Sequence, residues 1–529
     1  MELSEGKKRF VKLFMDKGVL LSPEFVEQLS SASDEDVGKV ITRLSNENSP
    51  LIMSKEVEEF FSKVGGDTDW GEFERMVVNL EKKKGKEMFG KVVEVIKEDT
   101  EREKEKNKKK SVEVLFSYED SDSKKDVQTF VSYFNNRYSA LKKILQNRQE
   151  LERASAISRV KVKTEKETVA VIGIVSAKIL TKNKNIILTI EDPSGEINVL
   201  VNNSKPELIS LTKSIVLDEV IGVTGTSSNG IIFVNSIVFP DIPLSHEMKR
   251  SNKDESLAVI GDIHLGSKHF LYDEFMRMIK WLRGEFGSEM HKEEAAKIKY
   301  VFLIGDLVDG VGIYPSQEND LEIKDIKKQY DVLANYLKMI PEHMEIIICA
   351  GNHDAVRIAE PQPPLPKDFA KSLWDLPNVT MVSNPSVISL GADENFSGFN
   401  VLLYHGFSFP YYGEGVESLR LKGGLESVEH ILEFLLKKRH LAPTHTSTQY
   451  IPDEREDFLV IKHVPDIFIT GHIHRTSITN YKGVTMMNSS SWIGMTDFQE
   501  KVGLKPLPAR VPIINLKTRK AKILKFSND

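Results

Sequence analysis

Five times in the second half of this chain, a short apolar run ends abruptly in glycine and a side chain that can bind metal. LAVIGDIHLGS (257–267) delivers Asp262 and His264, and YVFLIGDLVDG (300–310) delivers Asp306. EIIICAGNHD (345–354) delivers Asn352, His353 and Asp354. NVLLYHG (400–406) delivers His405, and DIFITGHIH (466–474) delivers His472 and His474. Uninterrupted apolar runs of this length predict strands buried on both faces of a sheet. Open α/β sheets bind their ligands just beyond the carboxyl ends of such strands. Glycine at each exit would let the backbone turn sharply and come close to an ion or a phosphate. Between the runs lie longer segments at helical spacing, so an α/β domain over 250–529 is expected.

Residues 262 and 264 are two apart. On an extended exit both side chains would point to one side and chelate one ion, and the same would hold for 472 and 474. Carboxylates, imidazoles and one amide oxygen form a mixed N/O set that suits divalent Mn, Fe or Zn. A set this large can hold two ions about 3.5–4 Å apart, the arrangement that activates water and clamps a phosphate. Taken singly, an Asp-x-His after a strand reads as a turn with a satisfied histidine, and GDLVDG is a common turn. GNHD and GHIH are more specific, and five such exits in this order point to a metal site. None of the 13 histidines precedes His246, which agrees with a nitrogen-rich site in the C-terminal half.

The rest of the chain divides by composition. Residues 1–75 read as a small helical interaction domain, with apolar residues at helical spacing over 10–16 and 25–31. Residues 76–126 read as a charged, solvated linker whose extreme is KEDTEREKEKNKKK (97–110). Helical spacing returns over 127–160. From 161 to 245 the period shortens into five β-rich runs divided by turn residues, as in a small Greek-key barrel of the oligonucleotide/oligosaccharide-binding (OB) type. These runs hold only Phe233 and Phe239 as rings, so packing or subunit contact is as reasonable there as DNA binding.

The net charge of −6 argues against a protein that wraps nucleic acid, although metal ions and a partner can supply positive charge locally. A single cysteine, Cys349, excludes an internal disulfide framework and fits a cytoplasmic protein. No apolar run approaches the roughly 20 residues that span a bilayer. His440, His445 and His463 fall outside the motifs and read as structural or surface residues. EPQPPLP (360–366) reads as a rigid loop beside the site, and Tyr411 and Tyr412 in FSFPYYGEG (407–415) are candidates for stacking on unpaired bases and equally for core packing or contact with a partner subunit. QTFVSYFN (128–135) lacks the full aromatic pattern of a sliding-clamp peptide.

The five motifs resemble the calcineurin-like metallophosphoesterase superfamily, whose pattern runs D-x-H, GD-x-x-D, GNH(D/E), H and GHxH. FVSYFNNRYSALKKIL (130–145), RHLAP (439–443), PDEREDFLVIKHVPD (452–466) and TDFQEKVGLKPLPARVPIINLKT (496–518) are similar to the small subunits of archaeal family D DNA polymerases. The resemblance implies a fold of sandwiched sheets with flanking helices, preceded by the barrel. It implies that Asp262, His264, Asp306 and His474 hold one ion, and that Asp306 bridges to a second completed by Asn352, His405 and His472. His353 would act on the substrate phosphate or the leaving 3′-oxygen, with Asp354 as its orienting partner. The cofactors would be two divalent ions, with Mn²⁺ favoured and Mg²⁺ or another divalent ion as alternatives.

The implied activity is a proofreading 3′→5′ exonuclease. The implied partners are a separate large catalytic subunit, single-stranded or mismatched DNA 3′ ends, and a sliding clamp reached through the complex; no membrane is involved. The competing readings are a non-catalytic scaffold subunit and a free-standing phosphoesterase. Related eukaryotic B-subunits have lost these ligands, whereas every ligand position here is filled.

Overall fold

The computed structural model describes residues 20–21, 52–53, 111–120, 125–495 and 505–527. The chain divides into two units, 1–108 and 109–529. Of the first, the described residues are Leu20–Leu21 and Ile52–Met53, paired in parallel. The helical reading of 1–75 lies otherwise outside the described residues, as does most of the stretch read as a linker.

One part of that stretch is a correction. Val112–Ser117 forms a strand, β1, paired antiparallel with a strand of the C-terminal half. Its short VEVLFS pattern is flanked by charge runs, and its pairing partner lies about 270 residues away in the chain. The charge hides the short pattern, and the partner lies outside any local window.

Helix α1 (Val127–Gln146) starts at Asp126, whose carboxylate accepts the Thr129 N–H. It buries Tyr133, Arg137, Tyr138, Leu141 and Leu145 on one face. A closed five-stranded barrel follows: β2 (Glu167–Leu180), β3 (Ile186–Asp192), β4 (Gly195–Val201), β5 (Val220–Ser228) and β6 (Ile231–Val238). Its order is β2-β3-β4-β6-β5, with helix α2 (Pro206–Thr212) between β4 and β5. Alternate residues such as Leu188, Ile190, Val199 and Val223 fill the interior.

The remaining chain forms two six-stranded sheets with helices outside both. The first sheet runs β10 (Val379–Met381), β9 (Glu345–Cys349), β8 (Ile298–Ile304), β7 (Ser256–Ile260), β16 (Arg510–Asn515) and β17 (Ala521–Lys525). β7 to β10 are parallel, and β16 pairs antiparallel to β7. The second sheet runs β14 (Ser477–Tyr481), β15 (Val484–Asn488), β13 (Ile467–Thr470), β12 (Phe399–Tyr404), β11 (Ser386–Leu390) and β1. β12, β13 and β15 are parallel.

Because strand side chains alternate, each apolar run serves two cores. Leu257, Val259, Tyr300, Phe302 and Ile304 meet Val401, Leu403, Ile467 and Ile469 between the sheets. Ala258, Ile260, Val301 and Leu303 instead face helices α3 (Tyr272–Leu282) and α4 (Ile326–Leu337). α4 is capped by Asp325 and buries Tyr330, Leu333, Ala334 and Leu337 at helical spacing. On the outer face of the second sheet lie α5 (Phe409–Gly415) and α6 (Val428–Lys438). Cys349 is buried at the end of β9, where its strand position explains it.

Helix α1, the barrel and the sandwich are tied together by a buried ion pair. Arg137 Nε lies 2.7 Å from Asp457 Oδ2, and its Nη1 donates to the carbonyls of Pro443 and of Asp218 in the turn before β5. His440 Nε2 donates to the same Asp457 oxygen at 2.8 Å, so His440 is structural as expected. His445 and His463 are exposed, again as expected.

Candidate metal centre

All five ligand-bearing exits meet at one edge of the sandwich. β7, β8 and β9 of the first sheet present Asp262, His264, Asp306 and Asn352, while β12 and β13 of the second present His405, His472 and His474. The exits are stitched to one another: Asp262 N–H donates to Gly305 O, His264 N–H to Asp306 O, and Gly471 N–H to His405 O.

The expectation of extended exits is overturned. Asp262, His264, Asp306, His472 and His474 have φ of 49°, 49°, 48°, 72° and 57°, so each sits in the left-handed region. That conformation costs a non-glycine residue about 1–3 kcal/mol, and it persists where surrounding contacts over-determine it. The ligands therefore make the turns themselves. At three exits the glycine serves the other purpose, close approach. A Cβ on Gly351 would overlap Asp306 Oδ1, one on Gly261 would overlap Ser489 Oγ, and one on Gly471 would crowd Asp262 Oδ2.

Three ligand sets converge: Asp262, His264 and His474; Asp306, His405 and His472; and His264, Asp306 and His353. His405 shows why a cation fits. Its Nδ1 lies 2.8 Å from Ile304 O, which can only accept, so Nδ1 carries the proton. Nε2 then aims a lone pair at Asp306 Oδ2 (3.3 Å) and Asn352 Oδ1 (3.1 Å). Three electron-rich atoms converge there and need a proton or a cation between them. With a proton as the only candidate, burial would lower the His405 pKa but Asp306 wins, and it is pushed up to about 10.

The same logic holds at His264. Its Nδ1 faces Asp309 Oδ1 at 3.3 Å, and its Nε2 faces His474 Nε2 at 3.2 Å. A carboxylate behind a histidine whose far nitrogen points inward is the usual support for a metal-binding imidazole. Burial, then the neighbouring His353, pull the His264 pKa down and keep its ring neutral, as a ligand must be. Burial would raise Asp306 and Asp262, yet the surrounding histidines outweigh it. Asp306 is held well below the usual carboxylate range, mainly by His405 and His353, and Asp262 is lowered by His474 and His405.

His353 is placed differently. Its N–H donates to Asp306 Oδ1 at 2.8 Å, and its ring Nδ1 donates to the backbone carbonyl of Asp309 at 2.9 Å. Asp354 is not its orienting partner, which corrects the expectation. Asp354 is buried and accepts the N–H groups of Gly351 (2.8 Å) and Leu307 (3.3 Å) and the Tyr330 hydroxyl (3.0 Å). It ties the third exit to the second and to α4, and the side chain one residue from His353 points into that framework.

Several supporting residues lie outside the five motifs. Buried Gln317 donates Nε2 to both Asp309 O (2.8 Å) and Asp309 Oδ2 (3.0 Å), so one amide steadies the groups behind His353 and His264. Ser489 Oγ donates to Asp262 Oδ2 at 3.0 Å, and Asn384 Oδ1 accepts the His405 N–H at 2.8 Å. Ser489 had a signal: GVTMMNSS (483–490) is a sixth apolar run ending in polar residues. Gln317 and Asn384 lie in loops and had none. The 360–366 loop does adjoin the site, since Gln362 Nε2 donates to Gly351 O at 3.3 Å.

Two sheets sandwiched between helices, with Asp, Asn and His gathered at their strand ends, define a metallophosphoesterase, a class that works with divalent metal ions. The calcineurin-like phosphoesterase family model matches residues 256–476. The DNA polymerase II small subunit of Methanothermobacter thermautotrophicus is 39% identical over 402 residues, covering 76% of this chain and 80% of that one. Those of Methanocaldococcus jannaschii and Pyrococcus furiosus are 41% and 38% identical; each match covers 76% of this chain, with 67% and 64% of the respective relatives. The chain belongs to the DNA polymerase II small subunit family. Among the described residues no helix is long and apolar enough to cross a membrane.

Proposed function

We propose that this chain is the nuclease-bearing small subunit of a replicative DNA polymerase, hydrolysing DNA from the 3′ end to proofread for a separate large subunit. The observation that carries the reading is the convergence of His405 Nε2, Asp306 Oδ2 and Asn352 Oδ1, a ligand set that a divalent cation satisfies. Asp262, His264, Asp306 and His474 would hold one ion; Asp306, Asn352, His405 and His472 would hold the other. Bound there, a pair of divalent ions, with Mn²⁺ favoured, supplies an activated water and neutralises phosphate charge.

The chain's own residues supply the remainder. His353, with Nδ1–H fixed on Asp309 O, presents Nε2 to the substrate. In its imidazolium form it gives the Nε2 proton to the leaving 3′-oxygen of the penultimate nucleotide as that P–O bond breaks and a new P–O bond to water forms, Nδ1–H staying on Asp309 O and the water's proton passing to solvent. Asp354 holds the loop that carries Asn352 and His353. We read the barrel as OB type, supported by its strand order and by α2 between its third and fourth strands. On this reading the chain is organised as barrel 161–245 and phosphoesterase 250–529, the latter completed by β1. Synthesis and any sliding-clamp contact come through the large subunit.

The test is the purified chain with Mn²⁺ and single-stranded oligonucleotides labelled at the 3′ or the 5′ end, beside Asp306→Asn. Stepwise shortening from the 3′ end, absent in Asp306→Asn, supports the nuclease. No cleavage by the natural chain, alone or with its large subunit, returns the site to a structural role in a scaffold subunit.

A further inference from the structure

Directly after the ligand His405, the FSFPYYGEG segment sorts its rings by face. Phe409 and Tyr412 are wholly buried, and the Tyr412 hydroxyl is held by Ser447 Oγ at 2.8 Å and the Thr444 N–H at 3.0 Å. Tyr412 is thereby committed to the core. Phe407 lies in the turn before α5, and Tyr411 lies in the first turn of that helix. Phe407 is partly exposed and meets the ligand His472 edge-on, with ring centroids 5.6 Å apart. Tyr411 is 40% exposed and is steadied by the edge of Tyr412 at 5.3 Å and by Thr446 Oγ1 at 3.5 Å from its hydroxyl. Beyond Thr446 come exposed His445 and partly buried Tyr450, joined by a 2.6 Å hydrogen bond.

Phe407 thus stands against a candidate metal ligand, and Tyr411 offers an exposed ring four residues later in the same segment. We propose that Phe407 and Tyr411 form a stacking subsite for the unpaired bases next to the scissile phosphate. This rests on the phosphodiesterase reading above and adds its substrate form, a frayed single strand. Ring faces held by packing accept any base, because every base offers a π-face. A paired base inside a duplex has both faces covered and must leave its stack first. The subsite therefore favours a 3′ end already unpaired, with the terminal phosphate at the metal centre and the adjoining base over Phe407 and Tyr411.

The experiment uses the full chain with Mn²⁺, in natural form and as Tyr411→Ala and Tyr411→Phe. Substrates are a single-stranded oligonucleotide, the same strand lacking the penultimate base, and the minimal diester bis(p-nitrophenyl) phosphate. Tyr411→Ala is expected to raise KM for the intact strand roughly tenfold relative to KM for the minimal diester, with kcat retained. Tyr411→Phe restores the natural KM. Removing the base costs the natural chain a similar factor and costs Tyr411→Ala nothing further. In metal-free protein, 2-aminopurine at the penultimate position is quenched on binding to the natural chain and not to Tyr411→Ala. An unchanged KM ratio together with quenching retained in Tyr411→Ala overturns the subsite while leaving the nuclease standing. Failure of the natural chain to cleave either diester overturns the nuclease, and the quenching result still decides the subsite.

Discussion

Replacing Arg137 by methionine should be among the most damaging single changes outside the metal centre. The Arg137 and Asp457 side chains are 1% and 0% exposed, so their attraction is little screened and neither has water to fall back on. Methionine keeps much of the volume but removes the cationic partner of a buried carboxylate, which keeps His440 and the Leu459 N–H as donors, and leaves the Pro443 and Asp218 carbonyls without the donor they had. Breaking a buried pair from one side costs about 3–5 kcal/mol, against a total stability of about 5–15 kcal/mol for a typical domain. The assay is urea unfolding of the full chain at pH 7, reading the barrel and the sandwich with separate probes. Their transitions should move to lower urea and part company. Adding Asp457→Asn should recover part of the loss, because the stranded charge is then gone.

The pH dependence is a second check. His440 and Arg137 outweigh burial and hold the Asp457 carboxyl well below its ordinary value. The stabilisation from that depressed pKa is complete above the unfolded value of about 4 and is lost as pH falls toward the folded value. The gap between natural chain and Arg137→Met should therefore narrow below about pH 4. A loss under about 1 kcal/mol in Arg137→Met, or a further loss on adding Asp457→Asn, would refute the reasoning.

Two more expectations concern loops beside the centre. Burial pushes the Glu360 carboxyl, hydrogen-bonded to the Tyr404 hydroxyl at 2.9 Å, up to about 7 from its ordinary 4.5. The unfolded chain loses that proton first, so folding stability should fall by about 3 kcal/mol between those pH values. Glu360→Gln should flatten that slope in denaturation midpoints taken from pH 4 to 8, and an equal slope in both proteins would count against it. Gln317→Met removes the amide behind Asp309, and Mn²⁺ affinity measured by calorimetry should drop about 10- to 100-fold, as for other supporting groups of metal ligands. An unchanged affinity would mean that the 309–317 contact is only structural.

The strands, and the candidate ligands that the fold brings together, were legible because both leave local marks: uninterrupted apolar runs, and His or Asp beside glycine. Less legible was how the ligands reach the centre. The left-handed turns at Asp262, His264, Asp306, His472 and His474 come with hydrogen bonds to residues far away in the chain, and no local window contains both partners. Asp354 was misread for a related reason. Adjacency to His353 suggested contact, whereas Gly351, Leu307 and Tyr330 claim its oxygens. β1 was hidden because pairing with a strand about 270 residues later, more than its own sequence, makes it a strand.

β16 deserves a last thought in terms of biosynthesis. Every candidate ligand has been translated by residue 474, yet the strand that covers the open side of β7 spans Arg510–Asn515. A ribosome therefore releases the whole ligand set while the first parallel sheet still carries a bare edge. Edges of that kind recruit other chains, and long-range pairing of this sort is slow to form. The interval between the last ligand and the closing strand is thus the stage of synthesis at which the young chain most needs shielding, and a cut just after residue 495 would make that stage permanent.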